Sequence, residues 1–195
     1  MIVLGIHGGV TLNQHEPSAC LLVNGEIVAA VEEERYNRIK SSYGLLPKKS
    51  IDACLRIGKI KITDVNLVVS TGITYSEQNI RLESFLSHNF GFSPPVKLVH
   101  HQDAHLATSF YSSEFEESLS FSIDASGDGD CNHLAIMKRN QKMKLIDSIP
   151  SSNSLGMFYT LMTHFLGFED GDEYKVMGLA PYGKPSIDLS DILKI

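Results

Sequence analysis

The same order of structural signals occurs twice in this chain, and that repetition constrains the fold more than any single motif. Residues 2–7 (IVLGIH) are a short apolar run ending in Gly8-Gly9, the pattern of a buried strand entering a tight loop. Two β-rich runs, SACLLV and EIVAAV, then flank Asn24-Gly25. A type I′ turn needs positive φ at both central residues, which Asn-Gly tolerates, so the two runs predict a hairpin. Pro47 opens a helical stretch in which Ile51, Cys54 and Leu55 form a stripe and Gly58 marks the end. A strand (DVNLVVST), a helix with Ile80, Leu82, Phe85 and Leu86 as apolar positions, a strand (PVKLVH) and a further helix follow, and the first unit closes near residue 115. SLSFSIDASGDGD then restarts the pattern as a strand running into a glycine loop. HLAIMKRNQKMKLIDSI reads as two strands about a polar turn at 139–141, and a helix follows with Leu155, Phe158, Leu161, Met162 and Phe165 apolar. A duplicated unit of this kind predicts two similar α/β lobes with both glycine loops at one cleft. The expected division is 1–115 and 116–195. The second copy shows no counterpart of the first copy's later strands, so it is expected to be incomplete.

Composition narrows the function classes. The chain has 195 residues, 43% hydrophobic and 21% charged, which is ordinary for a globular protein. A net charge of −6 and the lack of a Lys/Arg run argue against binding nucleic acid through bulk charge. Cys20, Cys54 and Cys131 are widely spaced and form no CxxC pair, which fits reduced thiols in a cytoplasmic protein. The apolar N-terminus lacks a basic segment and is broken by glycines, so it reads as a strand rather than a signal peptide. No apolar run approaches membrane-spanning length.

Three stretches carry candidate chemistry. In LVHHQDAHLATSFYSS, His101 and His105 stand four residues apart, on one face of a helix, where both rings could reach one metal ion or an anionic substrate. The alternative is that one histidine caps the helix and the others are solvated. Position 102 is Gln, so the general base of a zincin motif is missing. Two imidazoles and a carboxylate with open positions suit Fe(II), Zn(II) or Mn(II). In IDASGDGD, Asp124 ends a buried strand and could hold a metal, while backbone amides about Gly127, Asp128 and Gly129 could cradle phosphate oxygens; an Asx-bonded tight turn is the alternative. The loop does not meet the EF-hand pattern. In GDEYKVMGLAPYGKP, Pro181 and Gly183 block a regular helix, and Lys175 either meets an anionic ligand or is a solvated turn lysine. His15, beside Glu16 in the first glycine-loop region, is a candidate general base. The charged run EEERYNRIK reads as a solvated strand end or helix start, and His7, His88, His133 and His164 receive no role.

Four blocks stand in fixed order: HEPSACLLVNGEIVAAVEEERYNRIK, LVHHQDAHLATSFY, IDASGDGD and SLGMFYTLMTHFLGFEDGDEYKVMGLAPYGKP. Together they resemble the N-terminal part of the NodU/CmcH-type O-carbamoyltransferases, over nearly the whole chain. The resemblance implies an actin/Hsp70/sugar-kinase fold of two RNase H-like lobes, related to the tRNA threonylcarbamoyladenosine enzymes. It implies that a YrdC-like C-terminal domain makes carbamoyl-adenylate from carbamoyl phosphate and ATP with Mg. The N-terminal domain then moves the carbamoyl group to a hydroxyl of a small-molecule or saccharide acceptor, at a metal site. Matched residue by residue, His101 and His105 are the metal histidines and Asp124 a metal carboxylate; a further family Asp lies later, and nothing after residue 185 matches it. His15 is the candidate for deprotonating the acceptor. There are departures: His15-Glu16-Pro17 replaces the usual His-Asp, Asp124-Ala125 the usual Asp-Gly, and Asp172 a usual Gly. No YrdC-like domain is found, so a complementing chain is the expected partner and this chain alone is expected to be inactive. Two other readings are a tRNA threonylcarbamoyl-transfer subunit, which the YKVMGLAPYG block and the acidic charge disfavour, and a non-catalytic lobe that binds nucleotide or a partner.

Overall fold

The computed structural model describes residues 1–9, 14–186 and 188–190. The remainder of the first glycine loop and the end of the expected second unit lie outside the described residues.

The first sheet contains β1 (Ile2–His7), β2 (Ser18–Val23), β3 (Glu26–Glu32), β4 (Leu67–Thr71) and β5 (Val96–Val99), in the order β3-β2-β1-β4-β5. The first three strands form an antiparallel meander, and β4 and β5 add in parallel beyond β1. Asn24 and Gly25 take φ of 53° and 91°, as the hairpin requires. A short turn of helix, α1 (Glu34–Asn37), leads towards α2 (Lys48–Gly58), and α3 (Gln78–Phe90) joins β4 to β5. The predicted stripe of α2 is buried: Ile51, Cys54 and Leu55 pack with Leu4, Leu21 and Val68 of the sheet. Each fully buried aliphatic side chain stabilises by about 1.5–3 kcal/mol, so this core sets the phase of the helices. In α3 that phase is carried by Leu82 and Leu86, and the apolar Ile80 points to solvent. Gly58 is the last residue within α2 rather than its stop. A side chain there would run into Leu21, and the left-handed residue that ends the helix is Lys59.

The acidic run after β3 is also not simply solvated. Glu33 is buried, and its carboxylate accepts from the Lys49 and Ser50 amides and the Ser50 hydroxyl at 3.2, 2.7 and 2.9 Å. It supplies the acceptors that the first turn of α2 lacks, and its charge complements the positive end of the helix.

The second sheet, β6 (Glu117–Phe121), β7 (Asp130–Lys138) and β8 (Lys144–Pro150), is again an antiparallel meander, in the order β6-β7-β8. It repeats the β1-β2-β3 arrangement. Between the sheets, α4 (His101–Tyr111) packs Leu106 and Phe110 on Ala135 and Met137 of β7. The expected division at residue 115 therefore cuts between α4 and the sheet that holds it. After β8 come α5 (Leu155–Phe165) and α6 (Glu173–Leu179). Leu155, Leu161 and Phe165, apolar positions of α5, are exposed. The segment expected to be irregular is helical through Leu179, and Pro181 falls in a following 3-10 turn, Ala180–Tyr182, where it is sterically compatible. No helix among the described residues is long and apolar enough to cross a membrane.

Candidate functional site

Because β1, β4 and β5 are parallel, their C-terminal ends open on one edge of the first sheet, the position where open α/β sheets bind ligands. His7 ends β1 and Thr71 ends β4, with Thr71 Oγ1 and His7 Nδ1 3.4 Å apart. Beyond β5, His100 caps α4: its Nδ1 accepts from the Gln102 amide at 3.2 Å. The capping role weighed from the sequence thus falls to His100, which leaves His101 and His105 free to face outward together.

The glycine loop of the second sheet docks against this edge. Asp128, in the left-handed region with φ 56°, accepts four hydrogen bonds. They come from the Gly72 amide (3.0 Å), the Thr74 amide (3.2 Å), the Thr74 hydroxyl (2.8 Å) and the His101 amide (2.8 Å). Burial opposes ionisation of Asp128, but these donors outweigh it and hold the carboxyl below its usual range. Gly127 packs flat on the His101 ring, and any Cβ there would overlap it. The close approach is what brings Asp124 to the histidines.

His101 Nε2 lies 2.9 Å from Asp124 Oδ2 and 2.9 Å from His105 Nε2, and His105 Nε2 lies 3.4 Å from Asp124 Oδ2. Ligand atoms bound about 2.1 Å from one ion are ~3.0 Å apart when cis on an octahedron and ~3.4 Å apart on a tetrahedron, so the triangle fits a first-row metal. His105 is half exposed, which leaves the solvent side of the triangle open for further ligands. Gln102 Nε2 donates to Asp124 Oδ2 at 3.4 Å and to the Asp130 carbonyl at 3.1 Å, steadying the carboxylate from behind. Burial disfavours the charge on Asp124, yet hydrogen bonding to His101 and His105 and from the Ala125 amide drives its carboxyl far below the ordinary range. Reciprocally, the bond to Asp124 raises the His105 imidazole. Burial, and then the neighbouring His101, lower His7, whose ring sits 6.4 Å from that of His101.

The remaining expected residues divide. The Gly127 amide is not available to phosphate, because it donates to the Asp130 carbonyl at 2.8 Å. The Asp128 carboxylate is turned away into the first sheet's loops. The amides of Ser126, Asp128 and Gly129 donate to no acceptor among the described residues, which makes them the loop's candidates for an anion. The α5 N-terminus abuts this loop, with Ser154 as N-cap and its hydroxyl donating to the Asp124 carbonyl. His15 lies close enough to His7 to influence its titration, and rests half exposed against Tyr43. Lys175 does not join the cluster: on α6 it is paired with Asp172 at 2.8 Å and lies over Phe168 and Tyr174.

A second group escaped the sequence reading. His133, His100 and Asp130 stand behind α4, with Asp103 beside them. The signal for His133 was its inward position in the strictly alternating burial of β7, shared with Cys131, Ala135 and Met137.

Residues 74–194 match the sequence model of the family described as carbamoyltransferase N-terminus. The chain belongs to that family. The nodulation protein NolNO of Sinorhizobium fredii is 32% identical over 219 residues, covering 95% of this chain and 32% of that protein. An uncharacterized protein of Methanocaldococcus jannaschii is 33% identical over 194 residues, covering 98% of this chain and 35% of that protein. This carbamoyltransferase-family chain thus spans about a third of the length of these relatives. Component A of the Acidaminococcus fermentans (R)-2-hydroxyglutaryl-CoA dehydratase superposes with a TM-score of 0.51 at 16% identity, over 97% of this chain and 62% of that one. The fold is the mixed α/β type of the actin and sugar-kinase group, as the family resemblance implies, and the antiparallel meander recurs in both sheets.

Proposed function

We propose that this chain carries the acceptor-modifying site of an O-carbamoyltransferase, passing a carbamoyl group from carbamoyl-adenylate to a hydroxyl of a small-molecule or saccharide acceptor. The observation that carries this reading is the His101–His105–Asp124 triangle set beside a loop with three unused amides. His101, His105 and Asp124 would hold a divalent metal, Fe, Zn or Mn, which when bound supplies Lewis-acid polarisation.

The chain's own residues account for the rest of the chemistry. The Ser126, Asp128 and Gly129 amides and the α5 N-terminus face the phosphate of the adenylate and offset the charge it gains on leaving. The acceptor oxygen forms the new bond to the carbamoyl carbon as the bond from that carbon to the phosphate oxygen breaks. His15 takes the acceptor's hydroxyl proton on an imidazole nitrogen. His7, lowered by burial and by His101, is biased towards its neutral form, which adds no positive charge to repel a metal. Lys175 has no part in this scheme while Asp172 holds it. A YrdC-like polypeptide, using carbamoyl phosphate, ATP and Mg, would supply the adenylate.

The test is to incubate the chain with carbamoyl phosphate, ATP, Mg²⁺ and a panel of hydroxylated acceptors, with and without a YrdC-like polypeptide, and to read carbamoylated product by mass spectrometry. Product is expected only with the complementing polypeptide, and the His101→Ala/His105→Ala variant should lose both product and bound metal. Undiminished product from that variant would refute the assignment.

A further inference from the structure

We infer that His133 is a positioning residue for the metal histidines: it sets the rotation of α4 about its own axis, and so the distance from His101 and His105 to Asp124. This rests on the metal reading above, but it concerns residues on the opposite side of the helix.

At first sight His100, Asp130 and His133 form a second metal site, since their ligand atoms lie within 4.8 Å of one another. Two features of the geometry reject it. His100 Nδ1 accepts the Gln102 amide, so the proton of that ring sits on Nε2, the nitrogen that would have to offer a lone pair. The His100 and His133 rings are also stacked, with centroids 4.4 Å apart and planes 22° apart. In-plane lone pairs of nearly parallel rings do not converge on one ion.

What the cluster does is join α4 to β7. His133 is buried, and each of its ring nitrogens meets a carboxylate oxygen at 2.9 Å: Nδ1 with Asp103 Oδ1 and Nε2 with Asp130 Oδ2. Its backbone is fixed by exchange with Ser122, whose amide donates to the His133 carbonyl and whose hydroxyl accepts from the His133 amide, both at 2.9 Å. Asp103 lies between the metal histidines in sequence. At about 100° per residue it stands ~180° round the helix from the midpoint of His101 and His105. Any roll of α4 that moves the histidines away from Asp124 must therefore also break or stretch the bond from Asp103 to His133. Side-chain atoms ~5–6 Å from the axis move about 1 Å in a 10° roll, while metal–ligand distances hold to about ±0.2 Å. Leu106 and Phe110 pack the helix onto β7, but an apolar contact resists rolling less than a directed hydrogen bond does.

The experiment uses the full chain and Co²⁺, which reports ligand geometry through its visible spectrum. His133→Ala should weaken Co²⁺ binding by about 10–100-fold, the usual effect of removing a group that orients a metal ligand. It should also change the spectrum of the bound ion. His133→Asn places an amide nitrogen near the Nδ1 position and keeps the bond to Asp103, so it should restore affinity to within about threefold. His133→Gln reaches towards Asp130 instead and should stay weak. If the alanine variant does not fold by circular dichroism, the Asn–Gln pair decides alone. A His133→Ala protein with unchanged affinity and spectrum overturns the inference, as does rescue by Gln rather than Asn. A wild-type chain that binds no Co²⁺ overturns the metal site and the positioning role together, whereas normal wild-type binding with an indifferent His133 overturns only the latter.

Discussion

Removing the Asp128 carboxylate tests how the glycine loop is held against β4 and α4. Its four hydrogen bonds measure 2.8–3.2 Å. A bond to an ionised acceptor contributes about 1.5–3 kcal/mol, but the four share one partly exposed group and are not additive. One of the donors, the His101 amide, belongs to the first turn of α4, where loss of a cap costs about 1 kcal/mol. Taken together, Asp128→Ala should destabilise the chain by about 3 kcal/mol, or ~6–12 °C in Tm at this chain length. Asp128→Asn keeps the shape and the tolerance for φ 56°, but turns an NH₂ towards amide donors, so it should cost nearly as much. Asp128→Gly removes the left-handed strain, worth about 1 kcal/mol, and should be the mildest of the three. Urea unfolding followed by circular dichroism gives the differences. The sign with pH follows from the lowered folded-state carboxyl. Its stabilisation is complete above the ordinary value of 3.8 and is lost as pH falls through the lower folded value. The gap between wild type and Asp128→Asn should therefore stay constant between neutral pH and mild acid and close only in strong acid. A variant within about 0.5 kcal/mol of wild type, or a gap that closes near neutrality, would refute the account.

Two further outcomes follow from the same geometry. Gly127→Ala should displace the His101 ring, since the added methyl occupies its place; metal content by elemental analysis should fall at least tenfold while the circular dichroism spectrum is retained, and full metal retention would contradict the close approach. Metal affinity should fall in acid, because the ligating imidazoles must be unprotonated and the bond to Asp124 raises His105 above its ordinary 6.5. The loss should begin near neutrality at about tenfold per pH unit for each imidazole that must shed a proton. Titrations with Co²⁺ across this range check it, and a flat profile would exclude both histidines as ligands.

Local signals with a single physical reading were legible in the sequence. Asn24-Gly25 admits few conformations other than the tight hairpin, and His101 and His105 face one way in any helix. The repeated meander followed from strand and turn chemistry alone, and it is the part of the fold seen in both sheets. Residues whose partner lies far along the chain were not legible. Glu33 looks like one acid in a charged run until α2 places two amides against it, 16 and 17 residues later. Asp128 reads as a loop residue beside phosphate-binding amides, yet its partners are Gly72, Thr74 and His101. The sequence offers Gly127 for its amide, whereas its lack of a side chain is what the site uses.

The six residues HHQDAH show why spacing alone could locate the site but not describe it. Their side chains leave the helix in several directions. His100 precedes the first turn and spends a ring nitrogen on capping it. His101 and His105 share the outer flank and meet Asp124, while Gln102 points inward and holds that same carboxylate from behind. Asp103 leaves on the opposite flank and reaches His133. The i, i+4 rule recovers only the pair on one flank. The other assignments depend on which face of α4 is buried: Leu106 and Phe110 meet Ala135 and Met137 of a strand that begins some twenty residues beyond the helix, and Asp103 meets His133 of the same strand. The His101–His105–Asp124 triangle is therefore a product of tertiary packing: the motif supplies two imidazoles on one flank, and the packing of α4 on β7 lets that flank meet Asp124.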